Sequence, residues 1–136
     1  MITESNNNTS TYSDQVWERF KEPVCAGRLD NNSETVTTGI SRDPATGHTV
    51  RMWLRMDESR IISARFQALG CPVTIAAASM AAETLEGMTV AAARQLSGRK
   101  LVARLAAPVE KVSSGLLVED ALQEALKNYK HGPINR

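Results

Sequence analysis

The stretch "ISARFQALGCPVTIAAAS", Ile62 to Ser79, decides the fold because its hydrophobic period changes partway along. Before Gly70 the apolar residues alternate, with Ile62, Ala64, Phe66 and Ala68 falling on one side of an extended chain. After Cys71 the spacing becomes helical, and Ala76, Ala77, Met80, Ala81 and Leu85 make a stripe. Pro72 suits a first helical position, where a missing N–H removes no bond. A strand therefore runs through Gly70-Cys71 straight into a helix, whose small alanines let it lie close on a sheet.

Upstream, Val50, Met52, Leu54 and Met56 alternate with Arg51, Trp53 and Arg55, which predicts a half-buried strand. Asp57-Glu58-Ser59 turns it into the strand that ends at Gly70. Glu34 to Ser41, rich in Thr and Val, reads as an earlier strand, separated by the turn residues Asp43 to Gly47. Arg28 to Ser33 is a loop. Ser13 is placed to cap a short helix with Val16 and Phe20 on one face, closed by Pro23. Downstream, Thr89 caps a helix to Leu96, Ser97-Gly98 breaks it, and Arg99 to Leu105 forms another piece ended by Pro108. The last helix carries Leu117, Ala121, Leu122, Ala125 and Leu126, with Ser113 and Ser114 as caps and Glu119 and Asp120 near its positive end. Strands come early and helices late. The predicted fold is α+β, a three-stranded antiparallel meander packed against helices in a two-layer sandwich.

A chain of 136 residues with 42% hydrophobic content is the size of one domain with one core. That domain is expected over residues 12–130. Residues 1–11, polar and rich in Asn, Ser and Thr, read as a disordered tail, and 131–136 as a second tail. Sixteen basic against fifteen acidic residues leave +1, which points to neither nucleic acid nor an anionic membrane. No basic start with an apolar stretch follows Met1, and no run is long enough to span a bilayer, so a cytoplasmic protein is expected. In a reducing cytosol Cys25 and Cys71 are free thiols, and without a CxxC spacing they form no zinc motif.

Cys71 has a chemical rationale of its own. A thiol at a helix N-terminus meets the positive end of the helix dipole, which favours the nucleophilic, metal-binding thiolate. The plain alternative is a small buried hydrophobe at a tight junction. Arg51, Trp53, Arg55 and Arg65 share a strand face that suits an acidic partner or base stacking, or else a solvated mixed face.

Three strings together resemble the iron-sulfur cluster assembly scaffold family, of the IscU type also found as the N-terminal domain of NifU. They are "YSDQVWERFKEPVCAGRLD", "ISARFQALGCPVTIAAAS" and "LLVEDALQEALKNYK". The likeness runs from Tyr12 to Lys130. It implies a cluster-building site at one tip of the sheet, formed by the loop after the first strand, the Gly-Cys junction and the start of the last helix. The family uses three cysteines and an aspartate there. Cys71 matches one cysteine, but the family's Ala-Cys-Gly-Asp is Ala45-Thr46-Gly47-His48 here, and its His-Cys aligns with Ser113-Ser114. The family's chaperone-docking Leu-Pro-Pro-Val-Lys aligns with Ala107 to Lys111, keeping one proline and the lysine.

Two of three thiolates are thus replaced by hydroxyls, which stay protonated and bind iron poorly. The cofactors implied by the resemblance are iron, zinc or a [2Fe-2S] cluster, weak or absent in a monomer with this ligand set. A homodimer would pool two Cys71 and two His48. His48 reads as a metal ligand or proton donor beside Cys71, or as a solvated turn residue. Cys25, where the family usually has asparagine, reads as an accessory thiol or as packing. The implied partners are a cysteine desulfurase or other iron-sulfur assembly proteins, with neither nucleic acid nor membrane. Two functions follow: a divergent, non-enzymatic assembly protein handling sulfur or iron through one cysteine, or a pseudo-scaffold that docks on a desulfurase or on a true scaffold. A Cys71-His48 nucleophile-base enzyme ranks last, since no orienting residue is identifiable.

Overall fold

The structure, a computed structural model, describes residues 12–30 and 32–129, so both expected tails lie outside the described residues. Helix α1 spans Asp14–Lys21, strands β1, β2 and β3 span Val36–Arg42, Thr49–Asp57 and Arg60–Leu69, and helix α2 spans Pro72–Leu85. Short helices α3 (Val90–Ala93) and α4 (Gly98–Arg104) follow. A 3-10 turn, Val109–Lys111, then feeds helix α5, Val112–Asn128. Among the described residues no helix is long and apolar enough to cross a membrane.

The sheet is the antiparallel meander β1-β2-β3 that the alternation predicts. Its inner face carries Val50, Met52, Leu54 and Met56, all essentially inaccessible, with Ala64 and Phe66 from β3. One expectation fails on that strand. A register shift at Arg55/Met56 pairs Met56 with Ile61 and Arg55 with Ser63, leaving one extra residue on β3. Ile61 is consequently the buried residue, and Ile62 lies 48% exposed. Alternation read backwards from Phe66 cannot register a bulge.

β1 meets α5 through small polar residues rather than apolar ones. Thr37 and Ser41 donate to the carbonyls of Ala125 (2.7 Å) and Leu117 (2.6 Å). Gly39 lies between them, and a Cβ there would overlap the α5 backbone at Ala121 and Ala125. Each hydroxyl satisfies itself on a helix carbonyl, so backbone can approach backbone at little polar cost.

Helix α2 buries ten of its 14 residues, because the sheet, α1, α4 and α5 all pack on it. Its alanines make that enclosure sterically feasible. Both halves of the free edge of β3 are covered. Met88 accepts from the Ile61 N–H at 2.8 Å, Phe66 accepts from the Gly27 N–H at 2.9 Å, and Cys25 accepts from the Phe66 N–H at 3.1 Å.

The caps predicted at Ser13 and Thr89 form, accepting from Val16 N and Ala92 N. α3 ends at Ala93, short of the expected Leu96. Ser113 and Ser114 are not caps. The 3-10 turn enters the helix directly, which puts both serines inside its first turn, with Lys111 at the N-cap. Glu119 likewise serves another helix, accepting the Gly98 N–H at the start of α4 at 2.8 Å.

Candidate functional site

Three segments meet at one end of the sheet. The ladder pairs Thr49 with Leu69, which brings the β1–β2 turn alongside the β3–α2 junction. The His48 ring lies against Gly70: a Cβ on Gly70 would stand 3.0 Å from His48 Cγ and 3.1 Å from Thr74 Oγ1. A side chain at position 70 would therefore press on His48 and Thr74, which would have to give by a few tenths of an ångström.

Cys71 is the N-cap residue of α2 and is partly buried. Its Sγ is 3.5 Å from Thr74 Oγ1, 3.8 Å from Ser114 Oγ and 3.9 Å from Lys111 Nζ. Thr74 and Ser114 are both buried and hydrogen-bond to each other at 3.0 Å, joining α2 to α5 behind the thiol. Burial alone would raise the Cys71 pKa. The Thr74 hydroxyl, the Thr74 N–H, the Ser114 hydroxyl and the Val73 N–H together outweigh it and bring the thiol below its ordinary value. The thiol makes no full capping bond to the helix, so these N–H groups act on it as the positive helix end. The Lys111 ammonium adds a cation beside the sulfur.

The structure thus brings Cys71, His48 and Ser114 to one tip. Thr46 lies in the same turn, exposed, its hydroxyl accepting the His48 N–H at 3.1 Å. Ser113 is exposed and makes no hydrogen bond to Cys71. Cys25 is elsewhere: it is buried beside Phe66, and desolvation, followed by the charge of Glu86, raises its pKa. Thr74 and Lys111 are site residues that sequence reasoning did not single out as such. Thr74 had a local signal, since the third residue after an N-cap shares its side of the helix. Lys111, 40 residues away, had none beyond its place in the docking string.

The donor set does not suit a cluster or a tightly held metal. Among the described residues, no three of His, Cys, Asp or Glu converge closely enough to hold a metal ion. One thiol and one imidazole stand beside two hydroxyls and an ammonium that opposes any added cation.

The two thiols should therefore differ sharply in alkylation. We expect iodoacetamide to modify Cys71 in the folded protein, with a pH–rate midpoint below that of free cysteine, because its lowered pKa leaves more thiolate as pH falls. Cys25 should react only on unfolding. Peptide mapping of partially alkylated protein checks this, and equal modification of both thiols would refute it.

The family model described as the NifU-like N terminal domain matches residues 11–135. The iron-sulfur cluster assembly scaffold protein IscU of Azotobacter vinelandii is 35% identical over 121 residues, covering 88% of this chain and 94% of that protein. IscU of Escherichia coli strain K12 is 31% identical over 120 residues, covering 88% and 94%. Among solved structures, a putative iron-sulfur cluster assembly scaffold protein for the SUF system, from Fervidobacterium islandicum, superposes with a TM-score of 0.70. It is 18% identical and covers 86% of this chain and 97% of its own. A NifU-like N-terminal protein from Brucella abortus gives a TM-score of 0.66 at 22% identity, covering 88% and 94%. These two likenesses concern the fold.

Proposed function

Since this chain belongs to the NifU-like N-terminal domain family, we propose that it takes part in iron-sulfur cluster assembly as a single-thiol sulfur acceptor rather than as a cluster holder. The observation that carries this reading is the setting of Cys71: a thiol at a helix start, contacted by Thr74, Ser114 and Lys111, each of which favours its anion. The names of the relatives support the pathway. The donor set argues for sulfur as the cargo and against a cluster held by one chain.

The chemistry is a thiolate-persulfide exchange. The Cys71 thiolate attacks the terminal sulfur of a cysteine desulfurase persulfide, Enz–S–SH. The new bond is Cys71 Sγ to that sulfur, the desulfurase S–S bond breaks, and its thiolate leaves. The products are Cys71–S–SH and Enz–S⁻, with no net oxidation. Lys111 and the hydroxyls stabilise negative charge on Cys71 before attack and on its persulfide afterwards. The chain acts as a carrier and not a catalyst. The imidazole of His48 makes no hydrogen bond among the described residues that would orient it as a base. We place this exchange in the cytosol, where both cysteines stay reduced.

The test is incubation with a cysteine desulfurase and cysteine under anaerobic conditions, followed by mass spectrometry of intact and digested protein. One added sulfur on the peptide containing Cys71 is expected. Retained desulfurase binding with no sulfur on either cysteine would instead make the chain a docking module.

A further inference from the structure

The sheet face opposite the helices carries a charge pattern that sulfur acceptance does not use. Trp53, at the centre of β2, lies on the face that the sequence leaves as either a partner-contacting or a solvated one, and is only 1% exposed. Guanidinium groups cover it: Arg51 lies 5.1 Å and Arg28 5.9 Å from the ring centroid. The Arg51 Nε also donates to Thr38 Oγ1 at 3.3 Å, which fixes the plane of the group. Arg65 stands across the ladder from Trp53, and Arg55 lies two residues along the same face of β2. Four arginines therefore surround one indole.

Their countercharges are few. Arg65 pairs with Glu86 at 3.0 Å, whereas Arg28, Arg51 and Arg55 have no carboxylate partner among the described residues. Asp57 shares the strand parity but sits at the far hairpin opposite Arg60, and Asp30 is engaged by the Asn32 N–H. Like charges gathered on one sheet face repel one another, so the cluster costs stability in the free protein. Two guanidinium groups are nonetheless stacked on the indole, and Arg51 is oriented by Thr38, as a preformed carboxylate-binding surface would require.

The geometry points to this face as a docking surface for an acidic protein, one presenting clustered carboxylates to Arg28, Arg51 and Arg55. A protein partner fits better than nucleic acid on two grounds. Trp53 is fully covered and offers no ring for base stacking, and a chain of net charge +1 lacks a broad basic field. Ile40 (53% exposed) and Leu69 (70% exposed) border the arginines and supply the apolar contact that protein interfaces combine with arginine.

The experiment uses the full chain and a fluorescein-labelled amphipathic peptide with one glutamate-rich and one leucine-rich face, read by anisotropy and by the Trp53 indole N–H resonance. The peptide is expected to bind with salt-sensitive affinity and to shift that resonance, and Arg51→Gln/Arg55→Gln should weaken it about tenfold. Arg28→Gln/Arg55→Gln, which leaves Arg51 on the indole, should do the same, and Arg55→Gln alone should not lower the melting temperature at low salt. Lys100→Gln/Arg104→Gln, on α4, should leave binding unchanged. Equal peptide binding by wild type and both double variants would overturn the proposal. So would tighter binding of a dT20 oligonucleotide than of the peptide through the same arginines, which would assign the face to nucleic acid.

Discussion

Gly115→Ala should unfold much of the protein's stability margin, with a loss of about 3 kcal/mol and a fall in melting temperature of roughly 10 °C or more. Gly115 is in the first turn of α5 and packs against Gly98 at the start of α4. A Cβ on Gly115 would overlap the Gly98 carbonyl and come within 2.8 Å of Val102 Cγ2, while one on Gly98 would overlap the Gly115 carbonyl. Backbone meets backbone in both directions, so no side chain can swing away to make room. Gly98→Ala should cost a similar amount, and the double variant less than the sum, because the two changes break one contact. Gly87→Ala serves as a control: nothing lies within 4 Å of its Cβ position, and only its φ of 91° resists, so about 1 kcal/mol is expected. The effect reaches the site, since Gly115 adjoins Ser114 and the α4–α5 contact holds Ser114 and Lys111 beside Cys71. Thermal unfolding by circular dichroism measures it, and a Gly115→Ala melting curve superimposable on wild type would disprove the close packing.

Cys71→Ser should abolish sulfur acceptance and leave the fold intact. Serine is nearly isosteric and fits the same junction, but its hydroxyl stays protonated and cannot attack a persulfide. Cys25→Ser should accept sulfur as wild type does, with some loss of stability, because Cys25 is a core side chain whose pKa is raised by burial. Lys111→Gln should lie between, slowing acceptance and moving the Cys71 alkylation midpoint toward the free-thiol value, since the nearby cation is gone while the helix start and hydroxyls remain. Sulfur found on Cys25 in the Cys71→Ser protein at the wild-type rate would contradict this assignment.

What the sequence disclosed was mostly local. Alternation fixed the strands, and the change of period at Gly70-Cys71 fixed the junction that presents the thiol. Ser13 and Thr89 were legible as caps because a hydroxyl needs only the next turn as its partner. Ser113 and Ser114 resembled caps until the 3-10 turn before them supplied the helix start. The bulge that exchanges Ile62 for Ile61 depends on pairing with β2, and the burial of Trp53 depends on Arg28 reaching it from outside the sheet. Neither leaves a mark on periodicity. The tip itself was legible through family resemblance at Cys71 and His48, whereas Lys111 entered it only through the folded chain.

Under the proposed function this tip holds one stabilised thiolate and not a cluster-binding set. Anaerobic purification with iron and acid-labile sulfide analysis on the monomer fraction, before and after reconstitution with ferrous iron and sulfide, measures how many clusters each chain holds. The expected result is far less than one cluster per chain, with Cys71 still open to alkylation. A monomer that keeps one [2Fe-2S] cluster per chain, and in which that cluster protects Cys71 from alkylation, would contradict it.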